Sequence, residues 1–235
     1  MKIDDYKLSL LKGEPIQIDY LTVYPLTLQE IEQIGYEQYS NMLNVFFIDL
    51  EDLELENSEA LEDINKFILF LLILEKDSTI RNLLLSGLKL FCKQDFTFDK
   101  LLMCGEETIS EEIWEKMKYV LSWQNGIKYK TEDLTYNFAN VKAKEIQKKI
   151  KENKKRVQEI KNKQNENPEL VDLISAFCSK HPSINLFDVW QLTYYQLLDQ
   201  LTRLQLIEEY EFGLKSILAG ADSKKIKINH WVSKL

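Results

Sequence analysis

The sequence predicts a mainly α fold: a helical domain with a small N-terminal antiparallel β-hairpin and a long basic connector helix. Three observations carry this. Gly (7) and Pro (4) together make about 5% of the 235 residues, against an average usage near ~12%, so backbone punctuation is scarce and long helices are favoured. Apolar residues recur at three- and four-residue steps through most of the chain. Two-residue alternation is confined to residues 6–26 and, more weakly, 94–109.

Taken in order, YKLSLL and IQIDYLTVYPL alternate on either side of Lys12-Gly13-Glu14-Pro15, which reads as a hairpin closed by a Gly-Pro turn. Pro25 stops the second run. Thr27, with Glu30 three residues on, is a reciprocal capping box, and the helix it starts should run through Phe47 with Ile31, Ile34, Tyr39, Leu43 and Phe46 roughly on one face. Glu51 to Glu56 reads as an acidic loop. Ser58 and Glu62 offer the next cap, for a helix to Glu75, and Asp77 or Ser78 caps another from Thr79 to Lys93. Both helices are apolar on most sides, which places them at the centre of the core. Within the first, Phe67 to Leu74 is an unbroken apolar run that reads as a fully buried turn. Residues 94–109 form a short β element or loop, and Ser110 caps a helix that ends at Asn125-Gly126.

Composition then shifts. Residues 139–164 hold ten Lys and Arg against three Glu, about +7, which leaves about −15 on the rest of a chain whose net charge is −8. Val141, Ile146, Ile150, Val157 and Ile160 make a thin stripe on this polar segment, so it packs narrowly, as a solvated connector or as half of a helical hairpin. A helix over 168–180, a break at His181-Pro182 and a helix over 186–219 follow, with Gly220 as the stop. The expected division is residues 1–136 for the hairpin and helical core, 137–167 for the basic connector and 168–235 for the C-terminal helical region. There is no internal repeat.

The chain offers little for catalysis. Cys92, Cys104 and Cys178 are dispersed, with no CxxC pair, and read as reduced thiols that mostly fill core. His181 and His230 are the two histidines, and neither has Cys, Asp or Glu at a ligand spacing. Cys178 and His181 read better as a thiol beside a helix-ending histidine than as a nucleophile and base. No GxxxxGK[ST] or GxGxxG occurs. The chain is therefore expected to be no enzyme, with no catalytic, cofactor-binding or metal residue and no cofactor. An eight-residue apolar run falls short of the ~20 residues a membrane span needs, and MKIDDYKLSLLKG lacks the apolar stretch of a signal peptide, so a cytoplasmic protein is expected.

Two features point to binding. Residues 142–163 could grip phosphates, but Lys148, Lys149, Lys151, Lys154, Lys155 and Arg156 spread around the helix and no aromatic is interleaved. A solvated helix is favoured over a nucleic-acid arm. The C-terminal region carries Trp190, Tyr194, Leu197, Leu201 and Leu204 at helical spacing and closes on a tail with Trp231. Such a stripe is more often core than a ligand site, yet with 11 Tyr, 11 Phe and 4 Trp in the chain grooves between helices could receive an amphipathic helix of another protein. Trp190, Tyr194, Tyr195, Leu198 and Trp231 are the candidate partner-binding residues. The tail itself could dock on its own body or on a neighbour.

YKLSLLKGEPIQIDYLTVYPLTLQEIEQIGYEQY at one end and FDVWQLTYYQLLDQLTRLQLIEEYEFGLKSILAGADSKKIKINHWVSKL at the other resemble the ends of tail assembly chaperone-like proteins from tailed phages and prophages of Gram-positive bacteria. The likeness covers residues 6–40 and 186–235 and rests on apolar and aromatic positions, not on an active-site signature. It implies a non-enzymatic protein of the host cytoplasm that coats the apolar helices of the tape measure protein, keeps them from aggregating, helps recruit tail-tube protein and leaves before the virion matures. Self-association is compatible with it. Two rivals are a nucleic-acid-binding accessory protein using residues 142–163 and a structural subunit retained in the tail.

Overall fold

A computed structural model describes residues 6–48, 65–127, 168–222, 226 and 228–233. The acidic loop, the Ser58–Glu62 cap and the basic connector lie outside the described residues. Mainly helical architecture with a small hairpin near the N-terminus is what the described residues show. They fall into two compact units, residues 1–129 with 190–235, and residues 130–189. The expected region 168–235 is thus shared between the two, divided after Val189.

The larger unit begins with α1 (Lys7–Lys12), not with a strand. Gly13, at φ +74°, ends this single turn of helix by sending its N–H to the Leu10 carbonyl, the left-handed stop that glycine suits. The hairpin is displaced by one segment: β1 (Ile16–Ile18) and β2 (Leu21–Val23) both come from the second alternating run, which folds back on itself. Ile16 pairs with Val23 and Ile18 with Leu21. Those four are buried, while Gln17 faces Thr22 across the outer surface. Period two fixes which face is wet. The hairpin loop passes through Asp19 in the left-handed region at φ +50°.

Thr27 forms the expected capping box with Glu30 at the start of α2 (Leu28–Ile34). Its Oγ1 accepts from Glu30 N–H at 3.2 Å, and its own N–H donates to Glu30 Oε2 at 2.8 Å. Thr27→Ala is expected to lower stability by about 1 kcal/mol, read as a lower urea midpoint with unchanged slope. Gly35 (φ +90°, ψ 131°) breaks the expected single helix, and α3 (Tyr36–Phe46) resumes beyond it. That backbone region is almost closed to residues with a Cβ.

The long apolar run lies in α4 (Lys66–Lys76), where Asn65 caps the N–H groups of Phe67 and Ile68. It is not fully buried. Phe70 and Leu74 are inside, whereas Ile68 and Leu72 are 52% and 42% exposed. Only one stripe of any helix at the edge of a layer can meet the core. The true centre is α5 (Ser78–Cys92), capped by Asp77 and buried at Leu84, Gly87, Leu88, Phe91 and Cys92. It packs most extensively against α3, and the Phe91 carbonyl accepts from Tyr24 N–H at 2.8 Å, which ties it to the hairpin.

The second β element is a three-stranded antiparallel meander of β3 (Phe96–Asp99), β4 (Leu101–Cys104) and β5 (Glu107–Thr108). Ser110 then caps α6 (Glu111–Gln124), accepting from Ile113 N–H. The aromatics these elements supply form a continuous internal line. Phe70 stacks on Trp114 at 5.0 Å between ring centroids, Trp114 on Phe46 at 5.4 Å, and Phe46 meets Phe91 edge-on at 5.7 Å. Phe91 meets Tyr39 at 6.3 Å, and Tyr39 meets Tyr194 of the last helix at 6.3 Å.

In the smaller unit, α7 (Leu170–Lys180) starts with a Glu169–Asp172 capping box. Its last turn places the Phe177 ring 4.9 Å from His181. The expected helix over 186–219 starts later. Asn185 closes a turn, its Oδ1 accepting from Phe187 N–H and its Nδ2 donating to Asp188. A 3₁₀ turn, Val189–Gln191, precedes α8 (Tyr194–Leu218), which returns to the larger unit. Thr193 caps α8 with a further capping box, through Gln196. The boxes at Thr27 and Thr193 face each other: the two threonines form an antiparallel bridge, with Leu28 N–H on the Leu192 carbonyl (2.8 Å) and Tyr194 N–H on the Leu26 carbonyl (3.2 Å).

Candidate partner-binding surface

The last helix and the tail that follows it carry most of the candidate residues, and α8 divides into two halves. Its 25 residues span about 37 Å at ~1.5 Å per residue. The first half is built into the body. Leu197 is fully buried, Leu198 closes over Gly126, and Gln196 Nε2 donates to the Leu11 carbonyl at 2.7 Å. The second half is not: beyond Gln200, Gly213 is the one buried position among the described residues of the helix. Apolar side chains nonetheless continue around it. Phe212 is 75% exposed and Leu218 87% exposed, with Leu214 less so.

The candidate residues are spread along this gradient. Tyr194 packs its ring on Tyr39, and burial, then Tyr36, pushes its phenol well above the ordinary tyrosine range. Tyr195 is half-buried, with its phenol raised first by burial and then by Asp199 one turn on. Burial likewise raises the Asp199 carboxyl, against the lowering pull of Arg203 and Gln200. Trp190 is half-buried in the 3₁₀ turn. These residues with Leu198 cluster at the head of α8, on packed surface. Trp231 is apart from them, 46% exposed, with its ring stacked 5.4 Å from His230.

The tail docks on its own helix. Ile226 and Ile228 lie over Gly213, where an added Cβ would sit 3.0 Å from Ile228 Cγ1 and 3.6 Å from Ile226 Cγ2. A mid-helix glycine costs about 1 kcal/mol against alanine, and the close approach of the tail is the compensating contact. His230 meets Tyr210 edge-on at 5.4 Å. Arg203 Nη1 donates to the Trp231 carbonyl at 3.2 Å and the Ser233 carbonyl at 2.7 Å. Gly213 inside the apolar pattern of α8 was the sequence signal for this notch; Arg203 had none.

The rest of the described surface offers little to chemistry. A shallow cleft of ≈ 370 Å³ is lined by Gln33, Ile34, Gln38, Met42, Ser86, Lys89 and Leu90, with no nucleophile paired to a base. Cys92 is buried, its sulfur 3.9 Å from Met117 Sδ, and its thiol is pushed up to about 12 by burial. The other two cysteines are partly exposed. His181 Nδ1 accepts from the Ser183 and Ile184 N–H groups, so it serves the turn after α7. Among the described residues no His, Cys, Asp and Glu group is placed to hold a metal ion, and no helix is long and apolar enough to cross a membrane.

Fold and surface together define a mainly helical protein that exposes apolar and aromatic side chains among charged ones at its C-terminal end. Residues 161–235, about a third of the chain, match the family model described as YomV second domain, a phage-derived Bacillus protein family, and the match supports a phage or prophage origin. No curated protein and no solved structure gives a significant match.

Proposed function

We propose that this protein is a phage tail assembly chaperone that binds apolar helices of the tape measure protein and keeps them from aggregating, with tail-tube protein as a second partner. The observation that carries the reading is the outer half of α8, where Leu214 and Leu218, one turn apart on one side, and Phe212 on another are exposed, as are Trp231 and Val232 of the tail. Apolar side chains left this open are available to an interaction partner. A newly made tape measure chain presents long amphipathic helices, which are hazards until covered. An apolar helix face meets them by the helix-in-groove mode. The likeness of residues 6–40 and 186–235 to tail assembly chaperone-like proteins supports the assignment, and the phage-derived family match at the C-terminal end supports the phage origin it presupposes.

The test is co-expression with a tape measure fragment. The fragment is expected to move into the soluble fraction and to co-purify with the chain. Phe212→Ser together with Leu218→Ser, both at exposed positions where substitutions change stability by about 0.5 kcal/mol or less, should abolish most of that capture while leaving the circular dichroism spectrum intact. An unchanged insoluble fraction with the unaltered chain would sink the proposal.

A further inference from the structure

The tail's place on α8 has a meaning beyond its own stability. We infer that Arg203, Tyr210 and Gly213 form a segment-binding groove on α8 which the chain's own residues 226 and 228–233 occupy, so that a client must displace the tail to enter. The inference rests on the chaperone reading for the identity of the client, but not for the existence of the groove.

Three features of the contact favour a displaceable strap over a fixed element. The described residues of the tail are in neither helix nor strand, and two of its carbonyls are held by a single guanidinium, Arg203. Its apolar insertion is confined to Ile226 and Ile228 over the Gly213 notch. Trp231 and Val232 remain 46% and 60% exposed although they lie within the docked stretch. A segment with so few buried contacts opens locally at far lower cost than the helices beneath it.

The seated tail also describes the chemistry of what can replace it. It presents β-branched apolar residues two apart, Ile226 and Ile228, then an aromatic. The groove answers with a side-chain-free notch and a donor for main-chain carbonyls. The fitting occupant is therefore an apolar segment with free backbone carbonyls, entering without a Cβ clash at Gly213. Tethering places the chain's own tail at an effective concentration in the millimolar range, which suppresses weak or mismatched segments and admits a long client that also contacts the exposed Leu214 and Leu218.

The experiment uses the intact chain and a fluorescent synthetic peptide of residues 222–235 as probe. Ile228→Asp lies on the tail and leaves the groove unaltered. The peptide is expected to bind the Ile228→Asp chain saturably and at least tenfold more tightly than the unaltered chain, whose groove is filled. Adding Arg203→Ala to Ile228→Asp should weaken the peptide at least fivefold, and Arg203→Lys less. If Ile228→Asp disturbs folding by circular dichroism, Ile226→Ser with Ile228→Ser releases the tail more gently and is read in the same way. Equal affinity for released and unaltered chains, or no binding to either, overturns the inference. Because the probe is the chain's own segment, a positive peptide result alongside a failed tape measure capture would retain the groove and remove only the assigned client.

Discussion

Above about pH 9 the protein is expected to lose stability with every further rise in pH and to unfold as the medium approaches pH 12. Two buried acids, Cys92 and Tyr39, and the partly buried Tyr194 set this window. The Cys92 thiol titrates near 9.0 when free and is pushed up to about 12 in the fold by burial. Tyr39 and Tyr194 are raised well above 10.0, first by burial and then by neighbouring phenols. A group whose folded pKa lies above its unfolded value stabilises fully below the unfolded value, and that stabilisation is lost as pH climbs through the interval. At about 1.4 kcal/mol per pH unit, Cys92 alone would account for up to about 4 kcal/mol by pH 12, and the two tyrosines add to the slope from about pH 10. Urea midpoints between about pH 8 and pH 11 measure it. Tyr194→Phe keeps the ring on Tyr39 and removes the ionisation, so its midpoint should fall less steeply. Midpoints that stay level across the range would contradict the burial described for these groups.

Phe91→Ala should have the largest effect of any single side-chain truncation. Phe91 is 1% exposed and sits midway along the internal aromatic line, between Phe46 and Tyr39. Removing a buried Phe costs about 3–5 kcal/mol, through lost transfer energy and the cavity left behind, with edge-to-face ring contacts adding to the loss. For a chain of this size each kcal/mol shifts the melting temperature by about 2–4 °C, so a fall of about 10 °C is expected in differential scanning calorimetry. Phe91→Leu should recover much of it by refilling the space. If Phe91→Ala melts within about 2 °C of the parent, the line is not a cooperative core.

Which elements could be read from the sequence follows from how local their causes are. Caps were readable because a capping box needs only four consecutive residues: Thr27 with Glu30, Asp77 and Ser110 all start helices where the pattern places them. The same signal at Thr193-x-x-Gln196 went unread, because the apolar residues from Leu186 to Trp190 extend the helical spacing backwards past it. There, the Asn185 turn outweighs periodicity. KLSLL satisfies a strand pattern over five residues, too few to separate period two from one helical turn, and Gly13 decides the matter by closing that turn. Burial was the least readable quantity. Phe67 to Leu74 is uniformly apolar, so nothing within it says that Phe70 and Leu74 face inward while Ile68 and Leu72 do not. Of the candidate surface, the aromatic residues could be picked from their spacing. Their sorting into packed Tyr194 and open Trp231 depends on contacts with Tyr39 and Arg203 that are remote in the chain.

Facing capping boxes at Thr27 and Thr193 also set the order in which the molecule can be completed during synthesis. Leu28 N–H and the Leu26 carbonyl find their partners only at Leu192 and Tyr194, and the Leu11 carbonyl finds its own at Gln196, 185 residues away. While the ribosome is still making the middle of the chain, the first turn of α2 waits with open valences, and closing so wide a loop is a slow, late step. Nascent chains stalled before Thr193 should therefore remain sensitive to protease around residues 11–28, and acquire protection there once the final helix has emerged.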